Sequence, residues 1–139
     1  MSEQEQFLDK NNKIAVIGVS RDPEKWGWKI YKSLKFAGFE VYSVNPKYKM
    51  IGQGICYPNL KALPERPDVV ITIVPPAETE KIVRECKELG IGKVWMQPGS
   101  ESEDAITFCK DSNINVIHNA CFVLGGLKQD LNSGQSTIS

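Results

Sequence analysis

Net charge is the first thing the sequence lacks, because seventeen basic and seventeen acidic side chains cancel. That removes the broad positive potential with which a small domain would engage nucleic acid or an anionic membrane surface, and leaves only a local cluster to serve a small anionic ligand. Long apolar runs are missing as well. None approaches the roughly 20 residues that cross a bilayer, and the opening M-S-E-Q-E-Q-F-L-D-K-N-N is polar where a signal peptide needs an apolar core. A cytoplasmic location is expected. The four cysteines, Cys56, Cys86, Cys109 and Cys121, have no C-x-x-C spacing and a single histidine, His118, beside them, so no metal site is expected. In a reducing compartment they are expected to be free thiols.

Also absent is the dinucleotide fingerprint G-x-G-x-x-G. The stretch A-V-I-G-V-S-R-D-P-E-K-W-G-W-K-I leaves an aliphatic run, turns at a glycine and re-enters as a helix, but Gly18 and Gly27 stand too far apart. A classical NAD site further wants a carboxylate at the end of the second strand to hold the ribose hydroxyls. Here that position reads V-N-P-K-Y, with neutral Asn45 and cationic Lys47.

What is present is alternation. Short aliphatic runs at Lys13–Val19, Phe39–Asn45, Asp68–Val74, Lys93–Gln97 and Ile114–His118 read as five strands, the first buried on both faces. Between them, helices are expected at Trp26–Ala37, Ala77–Leu89 and Glu101–Lys110, and a last one at Cys121–Leu131, weakened by Gly125 and Gly126. Gly52–Pro58 reads as a loop with a short extended piece, and N-L-K-A-L as one helical turn. Residues 1–12 form a polar N-terminal extension and 132–139 a frayed tail. At 139 residues the chain is one domain's worth. The fold class is α/β: a Rossmann-like, about five-stranded parallel sheet with helices on both faces. Such sheets bind ligands beyond the carboxyl ends of their strands, where strand order reverses.

Five loops follow those ends. In the first, a helix N-terminus offers backbone N–H groups to phosphate oxygens, Ser20 a hydroxyl, and Arg21 or Lys25 a full charge, while Gly27 permits close approach of a backbone or a ligand. The competing reading is a capped helix, with Ser20 or Asp22 as N-cap, Pro23 starting the helix and both cations solvated. In the second, Asn45 can bond a ribose and Lys47 can meet a phosphate on it. That favours an adenosine with an additional phosphate, which coenzyme A and NADP both supply; an Asn-Pro turn with a solvated lysine is the plain alternative. Val74, Pro75 and Pro76 offer apolar surface to an adenine or a pantetheine arm, or simply punctuate a strand-to-helix junction. Gln97 and Gly99 can serve the amides of a pantetheine chain, with Trp95 and Met96 as core residues on opposite strand faces. His118 has no neighbouring acid to orient it and reads as structural. Cys121, in the first turn of the last helix, is the thiol with most scope to react, or else a small buried hydrophobe.

Taken together, G-V-S-R-D-P-E-K-W-G, V-N-P-K-Y, C-Y-P-N-L, W-M-Q-P-G and a cysteine just past the fifth strand resemble the single-domain CoA-binding protein family, relatives of the CoA-binding domain of succinyl-CoA synthetase alpha subunits. The resemblance runs from Lys13 to about Leu131. It implies a CoA site in which Gly18, Val19, Ser20, Arg21, Lys25, Trp26 and Gly27 surround the phosphates, and Asn45, Pro46 and Lys47 lie beside the adenosine end. Val74 and Pro75 would run along the nucleotide, with Gln97, Pro98 and Gly99 near the pantetheine and Cys121 near the thiol. Family members carry charged residues around the final cysteine, whereas N-A-C-F-V-L-G-G-L here is apolar and glycine-rich. The expected function is non-catalytic binding of coenzyme A or acyl-CoA, as carrier, sensor or regulator, since no nucleophile, base and orienting group can be assembled. Two alternatives stay open: an NADP-binding oxidoreductase fragment, and the CoA-binding subunit of an NDP-forming acyl-CoA synthetase. No nucleic-acid or membrane partner is expected, and neither a protein partner nor a homodimer is specified.

Overall fold

The structure is a computed structural model and describes residues 3–120. Its elements follow in the order α1 (Glu3–Phe7), β1 (Lys13–Ile17), α2 (Trp26–Phe36), β2 (Glu40–Val44), β3 (Met50–Ile51), β4 (Gly54–Tyr57), a 3-10 turn (Leu60–Ala62), β5 (Val69–Thr72), α3 (Pro76–Leu89), β6 (Lys93–Met96), α4 (Glu103–Asp111) and β7 (Asn115–Ile117). The seven strands form one sheet in the order β3-β4-β2-β1-β5-β6-β7. All neighbours are parallel except β3 and β4, which pair antiparallel as a small hairpin on the edge.

Strand alternation divides the interior into two layers. On β1, Ile14 and Val16 face one cluster with Ile30, Tyr31 and Leu34 of α2, while Ala15 and Ile17 face the other. That second cluster takes Ile82, Val83 and Cys86 from α3 and Ala105 and Cys109 from α4. The central strands therefore bury both faces, which is why their sequences are continuous aliphatic runs. The helices explain themselves in the same terms: α3 starts with Pro76 in its first turn, where a missing N–H costs nothing, and ends at left-handed Gly90 (φ 75°).

Two elements differ from the sequence-based expectation. In Gly52–Pro58, expected as a loop with a short extended piece, the extended piece is β4, and it makes an unexpected hairpin with β3: Met50 pairs with Ile55, and β4 continues the parallel sheet alongside β2. The first dozen residues are not merely a polar extension, because α1 delivers Phe7 into the α2-side cluster, fully buried and edge-on to Trp95 at 5.8 Å between ring centres. The expected helix at Cys121–Leu131 lies outside the described residues.

Chain order fixes where a crevice must open. From β1 the chain moves outward to β2 and β4, then crosses back to β5 on the other side of β1. Crossover connections thus leave β1 and β5 in opposite directions, parting at their carboxyl ends.

Candidate functional site

The loop after β1 is built on two glycines that the backbone requires. Gly18 has φ 106°, and a Cβ there would run into the Ile73 carbonyl oxygen of the loop after β5. Gly27, in the first turn of α2, lies against Gly18 itself: a Cβ would strike the Gly18 carbonyl oxygen and come within 3.2 Å of the Ser20 nitrogen. The close approach that Gly27 permits is therefore one of backbone to backbone. It presses the start of α2 onto the turn that leaves β1.

Between them the loop bonds several of its own backbone donors, the Lys25 nitrogen to the Asp22 carbonyl at 3.0 Å among them. Ser20 Oγ accepts from the Asp22 nitrogen at 3.0 Å, and Asp22 Oδ1 accepts from the Glu24 nitrogen at 2.9 Å. Neither side chain caps α2, which begins only at Trp26, with Lys25 at the N-cap position and no side-chain hydrogen bond there. The capped-helix expectation, with Pro23 opening the helix, gives way because the hydroxyl and the carboxylate are used two residues downstream as local turns. The helix is left with an open N-terminus, a place where N–H groups and partial positive charge suit an anion.

This N-terminus borders a crevice of about 830 Å³ at the carboxyl ends of β1, β2 and β5. Its walls include Gly18, Ser20, Lys25, Trp26 and Gly27 from the first loop, Asn45, Pro46 and Lys47 from the second, and Val74 and Pro75 from the third. The volume falls in the range of sites for cofactor-sized molecules, about 300–1,000 Å³. Lys25 and Lys47 are exposed, and neither forms an ion pair with another described residue. Asn45 works mainly on its own chain: Nδ2 donates to the Val19 carbonyl at 2.9 Å and Oδ1 accepts from the Lys47 nitrogen at 2.9 Å. It ties the second loop to the first and shapes the turn that carries Lys47.

Other residues singled out in the sequence lie elsewhere. Val19 is fully buried in the α2-side cluster. Arg21 turns to the hairpin, where Nε and Nη2 donate to the Met50 carbonyl at 3.0 and 2.9 Å and the guanidinium lies 4.8 Å from the Tyr48 ring centre. Gln97 is buried, its backbone N–H bonded to the Thr72 carbonyl, while Pro98 and Gly99 are exposed; none of the three lines the crevice. Cys121 lies outside the described residues. His118 borders a separate, smaller hollow of about 540 Å³ with Glu101, Glu103 and Lys110. No group of three or more potential metal ligands occurs among the described residues.

The crevice also has a wall that the sequence reading missed. Glu78, Lys81, Ile82 and Glu85 of α3 line it together with Pro58, Asn59 and Leu60, and Ile82 and Leu60 belong to one apolar cluster. Their spacing was the available signal, since positions 78, 81, 82 and 85 share one side of a helix. Glu78 and Lys81 lie 3.7 Å apart. Behind this wall the Ser100 hydroxyl joins Thr72 of β5 (2.5 Å) to Thr79 of α3 (3.2 Å), all three buried, and so anchors the first turn of α3 to the sheet.

A doubly wound, mostly parallel sheet with an open helix N-terminus at its switch point places the protein in the Rossmann-like α/β class. Within that class the chain belongs to the CoA-binding domain family, whose model matches residues 12–126. It is similar to acetate–CoA ligase [ADP-forming] II subunit alpha of Pyrococcus furiosus, 28% identical over 91% of this chain but only 30% of that subunit. A conserved hypothetical protein from Pyrococcus furiosus has the same fold with TM-score 0.77 and 37% identity, over 81% of this chain and 97% of that one. The apo form of dinucleotide forming acetyl-coenzyme A synthetase 1 from Ca. Korarchaeum cryptofilum aligns with TM-score 0.66 and 26% identity, covering 80% of this chain and 26% of that chain. The chain thus spans less than a third of the acetate–CoA ligases it matches.

Proposed function

We propose that the crevice at the ends of β1, β2 and β5 binds coenzyme A or an acyl-CoA, and that the chain itself performs no chemistry on it. The diphosphate would meet the open N-terminus of α2, and the phosphate on the ribose would meet Lys47. Ser20 and Lys25 would contribute a hydroxyl and a charge to the diphosphate, while Val74, Pro75 and Pro46 flank the nucleotide. The observation that carries the reading is the helix start that no side chain caps, bordered by two lysines unpaired within the described chain. Membership of a family named for CoA binding supports it.

Calorimetry with CoA, dephospho-CoA, NADP and NAD tests it. CoA is expected to bind at least about tenfold more tightly than dephospho-CoA, the worth of one charge-assisted contact. Tight binding of NADP with none of CoA would transfer the site to the oxidoreductase reading. The names of the acetate–CoA ligase relatives favour a second possibility, a CoA-binding subunit of an NDP-forming acyl-CoA synthetase. In that case ligase activity should appear only when a separate ligase subunit is supplied.

A further inference from the structure

We infer that Arg21 is a positioning residue that sets the preference for the phosphorylated ribose without touching it, by holding the Lys47 turn against the first loop. The inference rests on the reading that Lys47 meets that phosphate. Two ties join the segment 45–50 to the loop after β1. One is Asn45 Nδ2 on the Val19 carbonyl; the other is Arg21, whose Nε and Nη2 both reach the Met50 carbonyl while the guanidinium lies against the Tyr48 ring. They flank Lys47 on either side in sequence.

The turn between them is short and internally bonded. The Lys47 nitrogen donates to Asn45 Oδ1 and the Tyr48 nitrogen to the Asn45 carbonyl at 3.4 Å, so the backbone of Lys47 moves with Asn45 and Tyr48. Tyr48 borders the crevice beside Lys47, and its ring is the surface the guanidinium covers. A planar fork that bonds one carbonyl twice and stacks on a ring is a role lysine cannot fill, because an ammonium is a point charge without a stacking face. Removing the fork leaves the Lys47 turn tied to the loop after β1 through Asn45 alone, its far end held only by the hairpin, where the Cys56 nitrogen donates to the Lys49 carbonyl. The ammonium then samples more positions, and the contact that separates a phosphorylated from an unphosphorylated ribose weakens most, because rigid supports are what make a recognition contact selective.

The experiment is a double-mutant cycle of Arg21→Ala and Lys47→Ala on the full chain, read as the ratio of CoA to dephospho-CoA affinity. Lys47→Ala should lower the ratio by about tenfold, and Arg21→Ala by about threefold to tenfold, with dephospho-CoA affinity changed by less than about twofold. In the Lys47→Ala background, Arg21→Ala should change the ratio by less than about twofold, because it acts through the lysine that is gone. Losses that multiply would mean that Arg21 contacts the phosphate directly and would overturn the inference. An Arg21→Ala protein that keeps the wild-type ratio overturns it as well, while leaving CoA binding intact. A wild-type protein with no preference for CoA removes the Lys47 reading, and the inference with it. Arg21→Met keeps the aliphatic stem and repeats the test should Arg21→Ala not fold.

Discussion

Replacing Gly27 by alanine sets two opposing effects against each other. In a helix interior, alanine is favoured over glycine by about 1 kcal/mol, and less in the first turn, so propensity alone predicts a more stable protein. Packing predicts the reverse. The new methyl would collide with the Gly18 carbonyl oxygen, and both partners are backbone, so neither can rotate aside. Gly18 cannot retreat either, because its own Cβ position is filled by the Ile73 carbonyl and its N–H is bonded to the Val44 carbonyl at 2.9 Å. Forcing extra volume into such a contact costs about 1–3 kcal/mol, occasionally more, which exceeds the propensity gain. With the propensity gain subtracted, a net loss of roughly 0.5–2 kcal/mol is expected, or a fall in melting temperature of about 2–8 °C for a domain of this size. Thermal and urea unfolding measure it. Gly92→Ala is the control, since nothing lies within 4 Å of its Cβ position and its φ is not positive; it should be neutral or slightly stabilising. Were Gly27→Ala as stable as Gly92→Ala, the turn of β1 would not be clamped to α2, and the account of the open helix start would lose its geometry.

Two further outcomes follow from the interior. Phe7→Ala should cost about 3–5 kcal/mol by urea denaturation, as for other fully buried aromatics, and removal of residues 1–8 should cost at least as much; an unaffected midpoint would detach α1 from the core. Burial raises the Cys109 thiol to about 11 and pushes that of Cys86 up as well. Protons are then held by the folded chain and lost by the unfolded one, so the contribution to stability is complete below about pH 9 and declines as pH rises toward 11. Cys109→Ala should flatten that decline, and an unchanged slope would contradict it; alkylating reagents at pH 8 should label Cys86 and Cys109 only on unfolding.

The strands were legible because a strand buried on both faces must be aliphatic throughout, and Ile14 to Ile17, Val69 to Ile71 and Val94 to Met96 have no polar residue to confuse the pattern. The edge hairpin was not. Met50, Ile51, Gly54, Ile55 and Cys56 are too few and too interrupted by Gly52 and Gln53 to show period two, and their pairing is set by the hairpin and by β2. Phe7 was hidden for a similar reason, since the lone pair Phe7–Leu8 in a polar stretch carries no periodicity; its burial depends on the space beside Trp95. In the site, the first two loops could be located from where the aliphatic runs end. What could not be read was the use each polar group makes of its neighbours. Ser20 and Asp22 have the composition of helix caps and serve as turns instead, and Arg21 has the composition of a phosphate ligand and bonds a carbonyl on the hairpin. Such choices depend on distances between segments far apart in sequence.

Distances of the same kind decide how charge is arranged in the crevice, although its walls carry no obvious excess of either sign. Lys25, Lys47 and Lys81 are matched by Glu24, Glu78 and Glu85 among the lining residues. Their arrangement breaks the tie. On the loop side, Lys25 and Lys47 have no ion-pair partner among the described residues, and the α2 N-terminus adds partial positive charge beside them. On the α3 side, Lys81 is within 3.7 Å of Glu78, and Glu85 leaves that wall with an excess carboxylate. An anionic group in the crevice would be favoured at the loops and disfavoured at the far wall. A neutral base with an amino group can approach that wall, where Ile82 and Leu60 offer apolar surface and Asn59 and Glu85 offer acceptors. The polarity of the crevice is thus set by where its cations are left free, and net charge read from composition conceals it.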